Sequence, residues 1–287
     1  MKSLSPEKTI RTIYHALAQA WGPQHWWPAE SAFEVVIGAI LTQNTSWKNV
    51  ERAMTNLRAN NALTLNAVRE MPLAKLEELV RPSGYFRQKA ERLKNFVAFV
   101  DAQYAGSLEQ MFAAPTAELR AELLAQKGIG LETADAILLY AGNHEVFVVD
   151  AYAKRVLERH GVTASSAKYE EIRRLVESAL GAQKFASDGI ALPDAAASGD
   201  RPRPPVHEPS PMSQIIRSPL AQVYNEMHGL FVQAGKHFCL KQDPLCVPCP
   251  LKFLLGEDQL RHVVEVGGQI QMRNRGTPTV SRRKKRG

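Results

Sequence analysis

Apolar residues recur at helical spacing along most of the chain. Over Ser5–Trp21, the residues Ile10, Ile13, Tyr14, Leu17 and Ala20 fall three or four positions apart, the mark of one face of a helix. Ala32–Gln43 is apolar almost throughout and predicts a buried helix. The same reading predicts helices over about Trp47–Asn60, Leu73–Val80, Arg87–Gln103, Thr116–Gln126, Thr133–Tyr140, Asp150–Arg159, Lys168–Ala182 and Leu220–Phe238. Val146–Val149 alone reads as a strand, and four residues require no sheet. The predicted class is all-α. Between these stretches, residues 184–218 carry Pro193, Pro202, Pro204, Pro205, Pro209 and Pro211 among Ala, Ser and Asp. That composition predicts a disordered insertion.

Length and charge narrow the picture. A chain of 287 residues can bury a sizeable core and form two lobes. No apolar run approaches the ~18–20 residues of a membrane span, and the first residues lack a signal-peptide pattern. The expected setting is therefore the cytoplasm, at the nucleoid if DNA is the target, with no membrane partner. The net charge is +7, with 36 basic and 29 acidic residues. Seven of the basic residues (Arg273, Arg275, Arg282, Arg283, Lys284, Lys285, Arg286) lie in a basic tail over 266–287, with no acid from Arg273 onward. The rest of the chain is formally neutral. Bulk charge thus says only that the tail can touch a polyanion. Binding of a polyanion by the body must come from local geometry.

That geometry is suggested between residues 123 and 160. A helix runs into Gly128-Ile129-Gly130, and a second helix opens near Thr133. Glycine accepts backbone angles closed to other residues and lets N–H groups approach an oxyanion. The start of the second helix adds unpaired N–H groups and partial positive charge. Such a turn can hold a phosphate, with Lys127 beside it as a phosphate contact. Twenty residues after Gly130 stands Asp150, following the apolar run Val146–Val149 and opening a helix. An Asp there can cap the helix, catalyse, or do both. A second cluster is Trp26-Trp27-Pro28, with Phe33 and Leu41-Thr42-Gln43-Asn44-Thr45-Ser46-Trp47; three of the four tryptophans lie within 22 residues. They can be core, or they can form the faces of a pocket for a flat, cationic ring, which indole attracts by dispersion and cation–π interaction.

The hairpin followed at this spacing by Asp150 resembles the helix-hairpin-helix DNA glycosylases of the endonuclease III superfamily. The segments WWP, GAILTQNTSW, RPSGYFRQKAERL, KGIGLETADAILLYA and VFVVDAYAKR look more narrowly like 3-methyladenine DNA glycosylase III. The resemblance covers roughly residues 8–183 and 219–253. It implies a two-lobed helical fold with a cleft: a barrel lobe at 29–135, and a second lobe from 1–28 with 136–260. It implies double-stranded DNA with damaged bases as partner and a monomer as the working form. Trp26, Trp27, Pro28 and Trp47 would border the base pocket, and Gln43 would fill the gap left by the flipped nucleotide. Gly128, Ile129, Gly130 and Thr133 would face phosphate, and Asp150 would be catalytic.

Two departures from the superfamily shape the expected chemistry. Bifunctional members carry G-x-G-x-K, whose lysine attacks the sugar C1′ and leads to strand cleavage. Here the register is Gly128-Ile129-Gly130-Leu131-Glu132, so a carboxylate replaces the amine and base removal without strand cleavage is expected. Asp150 would then stabilise the growing positive charge of the sugar and orient water. Cys239, Cys246 and Cys249 follow C-x6-C-x2-C, which the superfamily continues with x5-C to ligate a [4Fe–4S] cluster; the fourth position is Leu255. A cluster with an incomplete cysteine set, a fourth ligand among His237, Asp258 and His262, or a relic loop all remain open, and none is required for hydrolysis. Two other functional readings stay open as well: a glycosylase for a mismatched or oxidised base, and a non-enzymatic hairpin protein that only binds DNA.

Overall fold

Helix α2 (Ala32–Leu41) is buried on every side, as its unbroken apolar sequence requires, and the body is built around it. The computed structural model describes residues 4–181, 204–255, 263–266 and 269–272. The helices before α2 and just after it are α1 (Pro6–Trp21), α3 (Trp47–Ala59), α4 (Leu65–Glu70) and α5 (Leu73–Val80). Then follow α6 (Phe86–Tyr104), α7 (Leu108–Phe112), α8 (Thr116–Ala125) and α9 (Leu131–Ala136). The last are α10 (Ala151–Arg159), α11 (Tyr169–Leu180) and α12 (Pro219–His237). Side-chain caps start several of these helices: Ser5, Ser31, Thr64, Ser107, Asp150 and Ser218 each accept a bond from the first turn.

Two packing groups share the core. In one, α2 lies against α3, α6, α9 and the π-turn Ile137–Ala141 that continues α9, while α5 packs on α3 and α6. In the other, α1 lies on α11 and α12, and α10 lies on α12. No described helix is long and apolar enough to cross a membrane.

The body is all-α as expected, with four differences. The short helices α4 and α7 have too few residues to show a period. A two-stranded antiparallel hairpin, β1 (Val263–Val266) with β2 (Gln269–Met272), pairs Val263 with Met272 and Val266 with Gln269. It occupies part of the expected tail; the remainder, Arg273–Gly287, lies outside the described residues. Val146–Val149 is no strand. Side chains of α11 satisfy its backbone in place of a partner strand: Phe147 N donates to Glu177 Oε1 at 2.9 Å, and Val149 N to the Tyr169 hydroxyl at 3.3 Å.

The expected insertion over 184–218 also needs correction in its second half. Residues 204–218 pack on the body: Ala29 N donates to Ser210 Oγ (3.1 Å), Met212 N to Ala29 O (3.1 Å), and Gln233 Nε2 to Pro205 O (2.9 Å). Proline content concealed the buried Met212 and Ser210 that anchor the segment. The first part, through residue 203, lies outside the described residues.

Candidate active site and nucleic-acid interface

The hairpin is held by buried charge. Helices α8 and α9 are bridged by Arg120, whose guanidinium bonds both oxygens of the fully buried Asp135 at 2.6 and 3.0 Å. Tyr169 donates to the same carboxylate at 2.8 Å and accepts from Val149 N. Burial pushes the Asp135 carboxyl up, and Arg120 and Tyr169 pull it back; Arg120 itself is held firmly protonated. One network therefore fixes both the hairpin and the extended run that delivers Asp150. Breaking such a pair by removing one partner costs about 3–5 kcal/mol.

Within the hairpin, Gly128 has φ +88°, in the left-handed region. A Cβ there would meet Arg92 Nε at 2.2 Å. Gly128 and Gly130 are exposed and Ile129 is buried, so the isoleucine anchors the turn. Ile129 N is already used inside the turn, donating to Gln126 O at 3.1 Å. Helix α9 opens at Leu131 rather than Thr133, with Gly130 as its extended N-cap.

Beside the hairpin lies a cavity of about 830 Å³, of the size that holds a small ligand. Of the residues singled out from sequence, Trp26, Trp27, Gln43, Trp47, Gly128, Gly130, Thr133 and Asp150 line it. Lys127 is exposed outside it, and Pro28 lines a second cavity of about 370 Å³ that Trp27 and Trp47 also line. The tryptophans form one aromatic wall. Trp27 meets Trp26 at 5.6 Å, Trp47 edge-on at 5.0 Å and Tyr140 at 5.2 Å between ring centroids. Trp26 and Trp27 are buried and Trp47 half-buried, so wall and core are the same residues. Gln43 does not project freely. Its Nε2 donates to Gly128 O (3.0 Å) and Thr133 Oγ1 (2.8 Å), and its carbonyl accepts from Arg92.

Asp150 caps α10 and faces the cavity as well. Its Oδ1 accepts from Ala153 N at 2.7 Å, and its Oδ2 lies 3.5 Å from His228 Nε2. Glu132, in the place of the superfamily's lysine, lines the same cavity. Its pKa is raised by surrounding protein and by the charge of Asp150. Glu132 and Asp150 share this lining with the amines of Lys48 and Lys236, so the cavity presents both signs of charge to a guest.

The sequence reading missed several lining residues, among them Lys48, Tyr140, Tyr152, His228 and Lys236. Tyr140 is fully buried in the π-turn, and burial with the nearby Asp150 charge raises its pKa well above 10. Lys236, on the last turn of α12, has its pKa lowered by burial. A basic residue at a helix C-terminus looks like dipole compensation, so nothing marked Lys236 as a cavity residue. His228 sits in an apolar helical stretch that reads simply as core.

The cysteine loop brings Cys239, Cys246 and Cys249 to one small cavity, with Leu255 at the fourth position. Among the described residues no three His, Cys, Asp or Glu side chains converge as a metal group. The Cys246 thiol is pushed up to about 11 by burial and by Cys239. Guanidiniums from α10 tie the loop to the body. Arg155 donates to Cys239 O (2.6 Å) and Gly235 O (2.8 Å), and Arg159 to Leu240 O (2.5 Å) and Lys241 O (2.9 Å). Asp258 and His262 lie outside the described residues.

Residues 37–181 match the family model of the HhH-GPD superfamily base excision DNA repair proteins. A Methanocaldococcus jannaschii protein whose name places it among DNA repair glycosylases is 42% identical over 85% of this chain and 94% of its own length. An H. pylori 3-methyladenine DNA glycosylase, solved with 1,N6-ethenoadenine, is 30% identical over 80% of this chain and 96% of its own, with a TM-score of 0.61. An endonuclease III solved as a covalent intermediate with DNA shares the fold at 20% identity and a TM-score of 0.65, over 90% of this chain and 99% of its own. The chain belongs to the HhH-GPD superfamily of base excision DNA repair proteins, the class of the endonuclease III-like DNA glycosylases.

Proposed function

We propose that the chain acts as a monomer on double-stranded DNA and hydrolyses the N-glycosidic bond of alkylated, cationic purines such as 3-methyladenine, without cutting the strand. The observation that carries this reading is the cavity itself. Trp26, Trp27 and Trp47 wall a space that also holds Asp150 and, at the hairpin's lysine position, Glu132. The likeness to the H. pylori 3-methyladenine DNA glycosylase supports it.

In this mechanism the flipped base stacks on the indoles, each aromatic face contributing ~1–3 kcal/mol. Asp150, held at Oδ1 by the start of α10, turns Oδ2 toward the sugar. There it stabilises the positive charge growing at C1′ and orients the attacking water. A cationic base leaves as a neutral molecule, so no acid need protonate it. Hydrolysis draws on no cofactor. The two-lobed division, 29–135 against 1–28 with 136–260, belongs to the same proposal, with the base entering at the cleft.

The direct test is to incubate the protein with randomly methylated duplex DNA and identify the released bases by chromatography. Release of 3-methyladenine, with strands intact until alkali is added, is expected. Release confined to oxidised pyrimidines or mismatched bases in parallel substrates would overturn the assignment, as would no release at all.

A further inference from the structure

We infer that His228 is the positioning residue of Asp150, an inference that rests on the hydrolytic role proposed for that carboxylate. His228 lies in the middle of α12 and is 4% exposed. Its ring is enclosed by Trp26, Tyr140 and Phe147, with centroids at 6.0, 5.7 and 6.4 Å. Neither ring nitrogen makes a hydrogen bond among the described residues. A buried polar nitrogen without a partner is destabilising, and an apolar side chain of similar size would fill this cage without that cost. The carboxylate within reach of the ring is Asp150, with Nε2 at 3.5 Å from Oδ2, while Glu132 acts on it from farther away.

The geometry explains what this contact does. Ala153 N holds Oδ1 at 2.7 Å. One anchored oxygen still lets the carboxylate pivot, which moves Oδ2 relative to the sugar. A donor at Oδ2 supplies the second fixed point and sets the plane of the group. Hydrogen bonds of catalytic groups are commonly long before substrate arrives and tighten in the complex, so a gap of a few tenths of an ångström closes when DNA docks. Glu132, Tyr140, Tyr152 and Lys236 also face the cavity. None of them bonds Asp150 among the described residues. Trp26, Tyr140 and Phe147 pack around the imidazole, so aromatic residues of the pocket also enclose the ring that faces its carboxylate.

The test uses the full chain and single-turnover base release from methylated duplex DNA. Affinity for a duplex containing an uncleavable abasic analogue is measured alongside. His228→Leu fills the cage and removes the donor; His228→Gln carries an amide N–H to the position of Nε2. His228→Leu is expected to slow release 10–100-fold, as loss of an orienting partner does elsewhere. Its DNA affinity should stay within twofold of wild type and its unfolding temperature equal or higher. His228→Gln should recover the rate to within about fivefold. In an Asp150→Asn background, His228→Leu should cost at most about a further twofold, since no carboxylate remains to be positioned. Release by His228→Leu within twofold of wild type would overturn the inference. So would equal losses in the Leu and Gln variants together with lost stability, or an undiminished effect in the Asp150→Asn background. Asp150→Asn at the wild-type rate would remove the hydrolytic reading and this inference with it; loss in Asp150→Asn without loss in His228→Leu would remove this inference alone.

Discussion

Gly38→Ala separates helix propensity from the rigidity of the pocket wall. Gly38 lies inside α2, where replacing Gly by Ala ordinarily stabilises by about 1 kcal/mol. In a protein of this size that raises the unfolding temperature by about 2–4 °C. Here an added Cβ would stand 3.1 Å from Trp27 Cζ2 and 3.5 Å from both Cε2 and Nε1. Trp27 must give way by a few tenths of an ångström, and Trp26, Trp47 and Tyr140 stand against it. Overpacking of this kind costs about 1–3 kcal/mol. The two terms leave the variant between unchanged and about 2 kcal/mol less stable, so its unfolding temperature should be unchanged or lowered by up to roughly 4–8 °C. Movement of the indole into the larger cavity should also reduce release of a purine carrying an added ring more than release of 3-methyladenine. Thermal unfolding and competitive base release read both effects. A rise of 2–4 °C with unaltered selectivity would refute the claim that Trp27 is a fixed wall.

With borohydride present, wild-type protein should give no covalent adduct with DNA, because Glu132 cannot form an imine; efficient trapping would refute the monofunctional reading and direct attention to Lys48 and Lys236, the amines that line the cavity, rather than Lys127 outside it. Trp47→Ala should reduce release of cationic 3-methyladenine more than release of neutral hypoxanthine; equal losses tracking thermal stability would return Trp47 to the core. Lys89 is 1% exposed, donates to Leu41 O (2.8 Å) and Ser83 O (2.7 Å), and has its pKa lowered to about 8, chiefly by burial. The unfolded chain therefore binds the extra proton between about pH 8 and the ordinary lysine value, and folded stability contributed at this site rises with pH across that window, by at most ~3 kcal/mol. Denaturation curves of wild type and Lys89→Met from pH 8 to 10.5 should show that slope in the wild type only; parallel slopes would refute it.

Much of this was legible in the sequence because helices of ten residues or more carry their own period. The turn around Gly128 and the Asp150 cap were legible too, since glycine and capping residues mark backbone requirements locally. What stayed hidden depends on tertiary partners. Val146–Val149 has strand composition, yet Glu177 and Tyr169 take up its N–H groups, and no local signal announces them. The proline-rich stretch read as unstructured, although Ser210 and Met212 dock half of it. The β1–β2 hairpin had a signal, two short runs separated by Gly267-Gly268, that the reading of a basic tail absorbed. His228 gave no signal: one histidine in an apolar helix looks like core until the fold places Asp150 against it.

The central claim is that the charge of Asp150 drives base release. Asp150→Asn tests it most directly, because the amide oxygen can still accept from Ala153 N and keep the α10 cap, so the charge is what the variant removes. Single-turnover release of 3-methyladenine should fall by at least about a hundredfold, with affinity for an abasic-analogue duplex and thermal stability close to wild type. Release within tenfold of wild type would contradict the account.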